Sequence, residues 1–274
     1  MRKNTTSQII LNIIIVFLIL LLLYPLLMAF WCSFKTVENF ELTKWYPTFP
    51  LQINNVATAF KACYKFILNT VFVGVVGTLL SLVLSSLSAY AFARVDFPGK
   101  KILFSMMMAL LMVPGVLTLV PSHMLYCNLG LYNSYWALIL PTAINGSVFG
   151  VFLLVSFFKN IPKSLFEAAR LDGANEFACF MKIAIPLCLP ILGTFAIIKI
   201  IGVWNDYLWP QIIIQDLDKQ LISSGLAFKF TGMYSSNMPI TFAGYLLASL
   251  PIIILFSVTS KFYIEGLMTS GLKL

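Results

Sequence analysis

Residues 167–190 read EAARLDGANEFACFMKIAIPLCLP. This compact, charged, glycine-punctuated segment separates two long apolar runs, so the question is what it touches. Three residues upstream, Ser164 stands at Ser-x-x-Glu spacing from Glu167. That is the capping-box pattern, in which two side chains satisfy two exposed N–H groups at a helix start. Good helix formers follow as far as Leu171, and Gly173 can take the positive φ that ends a helix. A second helix is expected from about Ala174 to Ala184, stopped by Pro186. The whole loop, 159–190, reads as helix, tight turn and helix leading into the next apolar run.

Working outward, the chain has 274 residues, 60% hydrophobic and only 10% charged. Soluble domains carry about 25% charged residues. Several uncharged stretches approach or exceed the roughly 17–25 residues that span a bilayer. The sequence therefore reads as an all-α integral membrane protein embedded in a lipid bilayer. Its charge-free windows place six spans at about 9–31, 67–92, 102–121, 136–158, 188–210 and 240–259. The uncharged run from Ile102 to Phe158 is too long for one helix, and Pro121 with NLGLYNS at 128–134 marks a turn inside it. The MRK start fits a signal peptide, but the first run is long and lacks a small-x-small cleavage site, so it reads as a retained helix.

Six spans put both termini on one side. That side would carry Arg2, Lys3, Arg94, Lys100, Lys101, Lys159, Lys163, Arg170, Lys182, Lys261 and Lys273. The other would carry Lys35, Lys44, Lys61, Lys65, Lys219 and Lys229. The excess of positive charge assigns the termini to the cytoplasm. It also explains the net charge of +8 without a nucleic-acid partner, since anionic headgroups attract the same residues. The five cysteines form no CxxC pair and do not cluster with the single histidine, His123. No metal site, bound cofactor or Walker-type GxxxxGK[ST] follows, so the chain carries no ATPase motif and reads as a non-enzyme.

On this topology 159–190 is the longest cytoplasmic loop. Leu165, Phe166, Ala168, Ala169 and Leu171 give its first helix a small, apolar surface that could enter a partner's groove. Glu167 and Arg170 could pair with charges at the rim. A membrane-surface helix that merely returns the chain is the plainer alternative.

The stretch also resembles the EAA signature of the inner-membrane permease subunits of binding-protein-dependent ABC importers. The signature runs through Glu167-Ala168-Ala169, Gly173 and Ile183-Ala184-Ile185-Pro186, with Ile185 in place of the usual Leu. Three further stretches, SSLSAYAFARVDFPGK at 85–100, WNDYLWP at 204–210 and the tail KFYIEGLMTSGLKL, resemble the carbohydrate-uptake class of that family. In the tail, Lys261, Gly266, Leu267 and Lys273 carry the likeness. Of the two permease halves in such importers, the chain resembles the shorter, maltose-G-like one.

The resemblance implies a type I permease fold in a bacterial inner membrane. It implies two cytoplasmic ATPase subunits that bind ATP and Mg, a second homologous permease, and an extracytoplasmic solute-binding protein delivering a sugar or oligosaccharide. It makes Glu167, Ala168, Ala169, Arg170, Asp172 and Gly173 the ATPase-coupling residues. Glu167 would contact the ATPase, Ala168 and Ala169 would permit close packing, and Gly173 would make the turn. The chemistry belongs to the ATPase.

Lys199 stands near the middle of the fifth span, where an ionisable side chain is costly and suggests a site. It could face a pore, satisfy a partner subunit or pair within the bundle. Asp206, seven residues on, lies about 10 Å further along a helix, too far for an easy direct pair. Trp204, Asn205, Asp206 and Tyr207 mix aromatic faces with hydrogen-bonding groups, as sugar hydroxyls require, and equally suit outer-end anchors or a gate. Pro114-Gly115 and Pro251 can kink their helices. The hydroxyl run Ser85, Ser86, Ser88 and Tyr90 suits packing between helices. A glycerol 3-phosphate or polyol importer remains an alternative, as do a stand-alone secondary transporter and a membrane scaffold.

Overall fold

The computed structural model describes the backbone of residues 5–271 and the side chains of 8–260. Those described residues are all helix, turn and loop, with no sheet. In chain order the helices are α1 (Thr5–Ser33), α2 (Val37–Leu42), α3 (Asn54–Arg94), α4 (Lys100–Leu110), α5 (Leu119–Asn128) and α6 (Trp136–Asn160). They continue as α7 (Lys163–Leu171), α8 (Glu176–Leu187), α9 (Leu189–Asn205), α10 (Leu208–Ile213), α11 (Ile222–Gly232) and α12 (Met238–Gly271). Four of them are long and apolar enough to cross a membrane, or six spans result if each of two bent pairs counts as one.

The windows 9–31, 67–92, 136–158 and 240–259 overlie single helices (α1, α3, α6 and α12), whereas 102–121 and 188–210 cross helix ends, and three physical differences stand out. First, α3 runs 41 residues, about 60 Å at 1.5 Å per residue, well beyond the charge-free window 67–92. Lys61 and Lys65 do not end it because both point to the exposed side, where Lys65 Nζ meets Asp218 Oδ2 at 2.6 Å. Second, the span at 102–121 is broken: α4 and the 115–128 helix meet at 91°. Pro114 lacks the N–H a continuing helix would use, and a 3₁₀ turn at Gly115–Thr118 restarts the chain. Pro121 is not a turn residue but lies in the first turn of α5, where its missing N–H costs nothing. The turn falls later, after Asn128, with Gly130 and Asn133 at φ +69° and +58°. Third, the window 188–210 runs past the end of α9 at Asn205 into α10, while α9 forms a bent pair with α8, the second helix of the preceding loop, the two meeting at 76°. Pro251, by contrast, lies inside an uninterrupted α12.

Contacts group the chain into two compact units. Among the described residues, one unit lies within 1–64 and 226–251 and the other within 65–225 and 252–274. In the first, Thr36 caps α2 by accepting from the Asn39 N–H, and Phe40 packs on Phe242 with ring centroids 5.5 Å apart. Lys35 is fully buried there, its Nζ donating to the Thr43 carbonyl at 2.6 Å. The apolar side chains of α1 are exposed along most of its length, as on a helix meant for lipid or a partner.

The second unit is built on a close crossing of α3 and α6. Gly146 and Gly150 stand at GxxxG spacing on α6, opposite Ser81 and Ser85 on α3. A Cβ on Gly150 would lie 2.6 Å from Phe195 Cζ and 2.7 Å from Ser85 Cβ, so the backbones approach only because the position is glycine. Ser85 donates to the Ser81 carbonyl at 2.5 Å and reaches the Ser147 carbonyl at 3.3 Å. Part of the expected hydroxyl run is thus interhelical packing, as its composition suggested.

Candidate functional site

The loop at 159–190 folds as helix, turn and helix, but its start differs from the expected capping box. Helix α7 begins at Lys163 with Pro162 as its N-cap and no side-chain cap bond. Pro162 leaves extended backbone (ψ 133°) two residues before Ser164, which therefore lies inside the first turn and cannot cap it. The end agrees with expectation. Gly173 takes φ +85°, its N–H bonds the Arg170 carbonyl at 3.0 Å, and the Ala174 N–H bonds the Ala169 carbonyl at 2.9 Å. This is a Schellman closure, which a residue with a Cβ resists.

The second helix starts at Glu176 rather than Ala174, capped by Asn175 Oδ1 accepting from the Ala178 N–H at 2.8 Å. It does not stop at Pro186. A π turn over Phe180–Ala184 lets the Ile185 N–H reach back to the Phe180 carbonyl, and the helix carries Pro186 through to Leu187. Widening by one residue removes the clash that proline imposes on an α-helix.

The last turns of α3 hold this loop. Tyr90 and Arg94 stand four apart and so share a face. The Tyr90 ring packs on Phe158 of α6, Phe166 of α7 and Phe180 of α8, at centroid distances of 6.2, 6.2 and 5.3 Å. Its hydroxyl donates to Glu176 Oε2 at 2.9 Å, and Glu176 Oε1 accepts from Arg170 Nε at 2.8 Å. The hydrogen bond that Arg170 donates to Glu176 holds its guanidinium above its ordinary pKa. Arg94 Nε donates to the Phe158 carbonyl at 2.9 Å, Nη2 donates to the Phe158 and Ile161 carbonyls, and the guanidinium lies 4.5 Å from the Phe166 ring centroid. Carbonyls at the end of α6 have no partner in their own helix; a cation from another helix caps them.

Of the six predicted loop residues, Glu167, Ala168 and Asp172 are exposed, Arg170 is exposed but engaged by Glu176, and Gly173 makes the turn. Ala169 instead packs inward on the cluster around Tyr90. Around the turn, Leu165 and Leu171 (89% exposed) on α7 and Phe177 at the start of α8 are left uncovered. Sequence reasoning had not singled out Arg94 or Glu176, nor the binding role of Tyr90. The available signal was the i, i+4 Tyr/Arg pair at the end of a long apolar helix.

The second feature is an open cavity of about 440 Å³ beside α9. Lys199, Asn205 and Asp206 line it, together with Thr118, Ser122, Thr142, Asn145 and Trp209. Trp204 and Tyr207 do not. Trp204 is buried and its carbonyl accepts from Ser223 Oγ at 2.6 Å, while Tyr207 is exposed elsewhere. The reason is the end of α9 at Asn205: Asp206 turns to extended backbone (ψ 114°), which reorients the residues after it. Trp209 Nε1 donates to the Ala137 carbonyl at 2.7 Å, fixing the indole at the cavity wall.

Lys199 lies across Gly146. Its Nζ and Cε are the atoms nearest to where a Gly146 Cβ would stand, followed by Ser81 Oγ at 2.8 Å. Among the described residues no ion pair joins Lys199 to Asp206, whose Oδ1 accepts from the Trp209 N–H at 3.4 Å. Ser81 Oγ is buried without a hydrogen-bond partner. The tail likeness at Lys261, Gly266, Leu267 and Lys273 lies outside the residues whose side chains are described.

The chain is similar to known proteins over most of its length. Residues 81–264 match the family model described as binding-protein-dependent transport system inner membrane component. The chain is 32% identical over 292 aligned positions to the polygalacturonan/rhamnogalacturonan transport system permease protein of Bacillus subtilis, covering 100% of both chains. It is 36% identical over 205 positions to the arabinooligosaccharides transport system permease protein of Halalkalibacterium halodurans, covering 75% of this chain and 72% of that one. Its fold is similar to a chain in the crystal structure of a bacterial ABC transporter involved in the import of the acidic polysaccharide alginate. There the TM-score is 0.83 at 22% identity, over 96% of this chain and 98% of that one.

Proposed function

The chain belongs to the family of binding-protein-dependent transport system inner membrane components, and from that membership we propose that it is one permease half of an ATP-driven carbohydrate importer. The printed activities of its relatives, polygalacturonan/rhamnogalacturonan and arabinooligosaccharide transport, support a saccharide cargo. Its partners in this reading are a second, homologous permease, two ATPase subunits that use ATP and Mg, and an extracytoplasmic binding protein. The excess of Lys and Arg beside the termini supports a cytoplasmic position for both ends and for the 159–190 loop. Within the permease pair the chain takes the maltose-G-like position, and its loop is an EAA coupling loop.

One observation carries the coupling role. Helix α7 is tied from behind to α3, α6 and α8 by Tyr90, Arg94 and Glu176, while Leu165, Ala168 and Leu171 remain uncovered in front. A short helix held rigidly on one side and apolar on the other transmits displacement. Closure of an ATPase dimer against α7 would pass through the Tyr90–Glu176 joint into α3 and α8, and thence to the bent pair α8–α9. In this reading Glu167, Ala168, Asp172 and Leu171 meet the ATPase, whereas Ala169, Arg170 and Gly173 shape the helix that does so. The cavity beside α9 is this chain's share of the translocation path.

The direct test is native mass spectrometry of the complex drawn out in mild detergent through a tag on this chain. An ATPase, a second permease and this chain in a 2:1:1 ratio is the expected result. A solitary chain under progressively milder extraction would return the stand-alone transporter to first place.

A further inference from the structure

Resting on the reading that the cavity beside α9 is part of the translocation path, we propose that Lys199 selects a saccharide bearing a single carboxylate, a uronate unit, over neutral and phosphorylated sugars. The cavity holds one cation of this chain, and among the described residues that cation has no hydrogen bond or ion pair of its own. An unpaired ammonium deep in an apolar bundle is expensive, yet the fold makes room for it: Gly146 is glycine where any Cβ would collide with the Lys199 side chain. The residues beside it in sequence, Ile197, Ile198, Ile200 and Ile201, are all apolar, so Lys199 is the one charge in this stretch of α9. An ammonium with no close ion pair or hydrogen bond among the described residues, whose opposite charge is the more distant Asp206, is available to an external partner.

The rest of the lining decides which anion. Asp206 stands seven residues further along, roughly 10 Å by helix rise, and its carboxylate is already turned toward the Trp209 N–H. The cavity is therefore polarised, positive at depth and negative toward the end of α9. A phosphate brings a charge of about −1.5 to −2, more than one ammonium balances, and Asp206 would repel the excess. A carboxylate matches Lys199 one to one. Its hydroxyls could then donate to Asp206 and exchange hydrogen bonds with Thr142, Asn145 and Asn205. The indole N–H of Trp209 is already engaged by Ala137, which leaves only the ring, suited to the apolar face of a pyranose. The separation between Lys199 and Asp206 is one a disaccharide can bridge.

The test uses the membrane complex isolated through this chain, without its binding protein, in nanodiscs. Equilibrium dialysis would measure galacturonosyl-rhamnose, a disaccharide with one carboxylate, the neutral disaccharide galactobiose and glucose 6-phosphate. Galacturonosyl-rhamnose is expected to bind tightest, to weaken about tenfold or more in Lys199→Met, the loss expected when a charge-assisted contact is removed, and to be kept by Lys199→Arg. Galactobiose should be indifferent to both substitutions. Binding of the neutral or phosphorylated probe as tightly as galacturonosyl-rhamnose, binding of none of the three, or a preference that survives Lys199→Met would overturn the assignment. Mass analysis of the same preparation separates the two levels. If the ATPase and second permease are present but no preference is seen, selectivity alone fails; if both partners are absent, the permease reading falls and the assignment with it.

Discussion

The two polar regions of this chain treat their charges in opposite ways. At the joint between α3 and the 159–190 loop every charged group that touches the packing is spoken for: Arg94 by two carbonyls and an aromatic ring, Glu176 by Tyr90 and Arg170. In the cavity beside α9, among the described residues, the ammonium of Lys199 has no hydrogen bond or ion pair, and the nearby Ser81 hydroxyl has no hydrogen-bond partner. Satisfied polar networks fix one arrangement, whereas unsatisfied groups are cheap to re-pair. The contrast teaches that the joint is built to move as one piece and the cavity to exchange partners.

Arg94→Ala attacks the joint hardest. It leaves the carbonyls of Phe158 and Ile161 without their donor and removes the cation from the face of Phe166. A loss of about 3 kcal/mol is expected from a charged hydrogen-bond donor of this kind, read as a drop of several degrees in melting temperature of the detergent-solubilised complex. Arg94→Lys should recover only part of it, because an ammonium lacks the planar fork that reaches two carbonyls at once. Unchanged melting in both variants would mean the joint is not the rigid unit described.

Next comes the crossing that separates the two regions. Gly150→Ala puts a methyl into contact with Phe195 and Ser85, and overpacking of this kind costs about 2 kcal/mol. Gly202→Ala is the matched control: it lies on α9 with nothing within 4 Å of a new Cβ, so its melting temperature should hold or rise slightly, as alanine is the better helix former. Equal effects of the two would show that the α3–α6 approach is looser than its glycines imply.

How much of this was legible in the sequence follows the same division. The turn at Gly173 was readable because a local rule, the positive φ of a helix terminus, fixes it whatever lies nearby. The apolar windows over α1, α3, α6 and α12 were readable for a similar reason, since length and composition alone determine what can face lipid. The capping box at Ser164 failed because Pro162 supplied a competing local start, and the stop at Pro186 failed because a π turn absorbed it. Trp204 and Tyr207 could not be separated from Asn205 and Asp206 by pattern, since a single extended residue at Asp206 decides which side chains reach the cavity. The bond from Tyr90 to Glu176 joins residues 86 apart; no local signal encodes such a pair.

Gly173→Ala sharpens the local side of that argument. A left-handed conformation costs a residue with a Cβ about 1 kcal/mol, and nothing in space opposes the new methyl. The expected outcome is a small fall in melting temperature with α7 still attached through Arg94 and Tyr90. Proteolysis of the 171–175 turn should accelerate, while cleavage elsewhere stays constant. A fall as large as that of Arg94→Ala would mean that the turn, and not the joint, holds the loop.

Glu167→Lys should be the mildest for the fold and the most informative for function. Glu167 is exposed beside a small hollow of about 270 Å³ that it shares with Arg94, Asp96, Lys163, Phe166 and Arg170. Exposed charges contribute little to stability, so the melting temperature should stay within about a degree of wild type. The substitution nevertheless reverses the sign of the one acidic side chain that α7 offers near its middle, between Lys163 and Arg170. If α7 meets an ATPase groove through that face, co-purification of the ATPase should weaken, or hydrolysis should continue without uptake. A variant that melts normally, retains its ATPase and transports at the wild-type rate would remove Glu167 from the contact and leave Leu171 and Ala168 as the surface on which coupling depends.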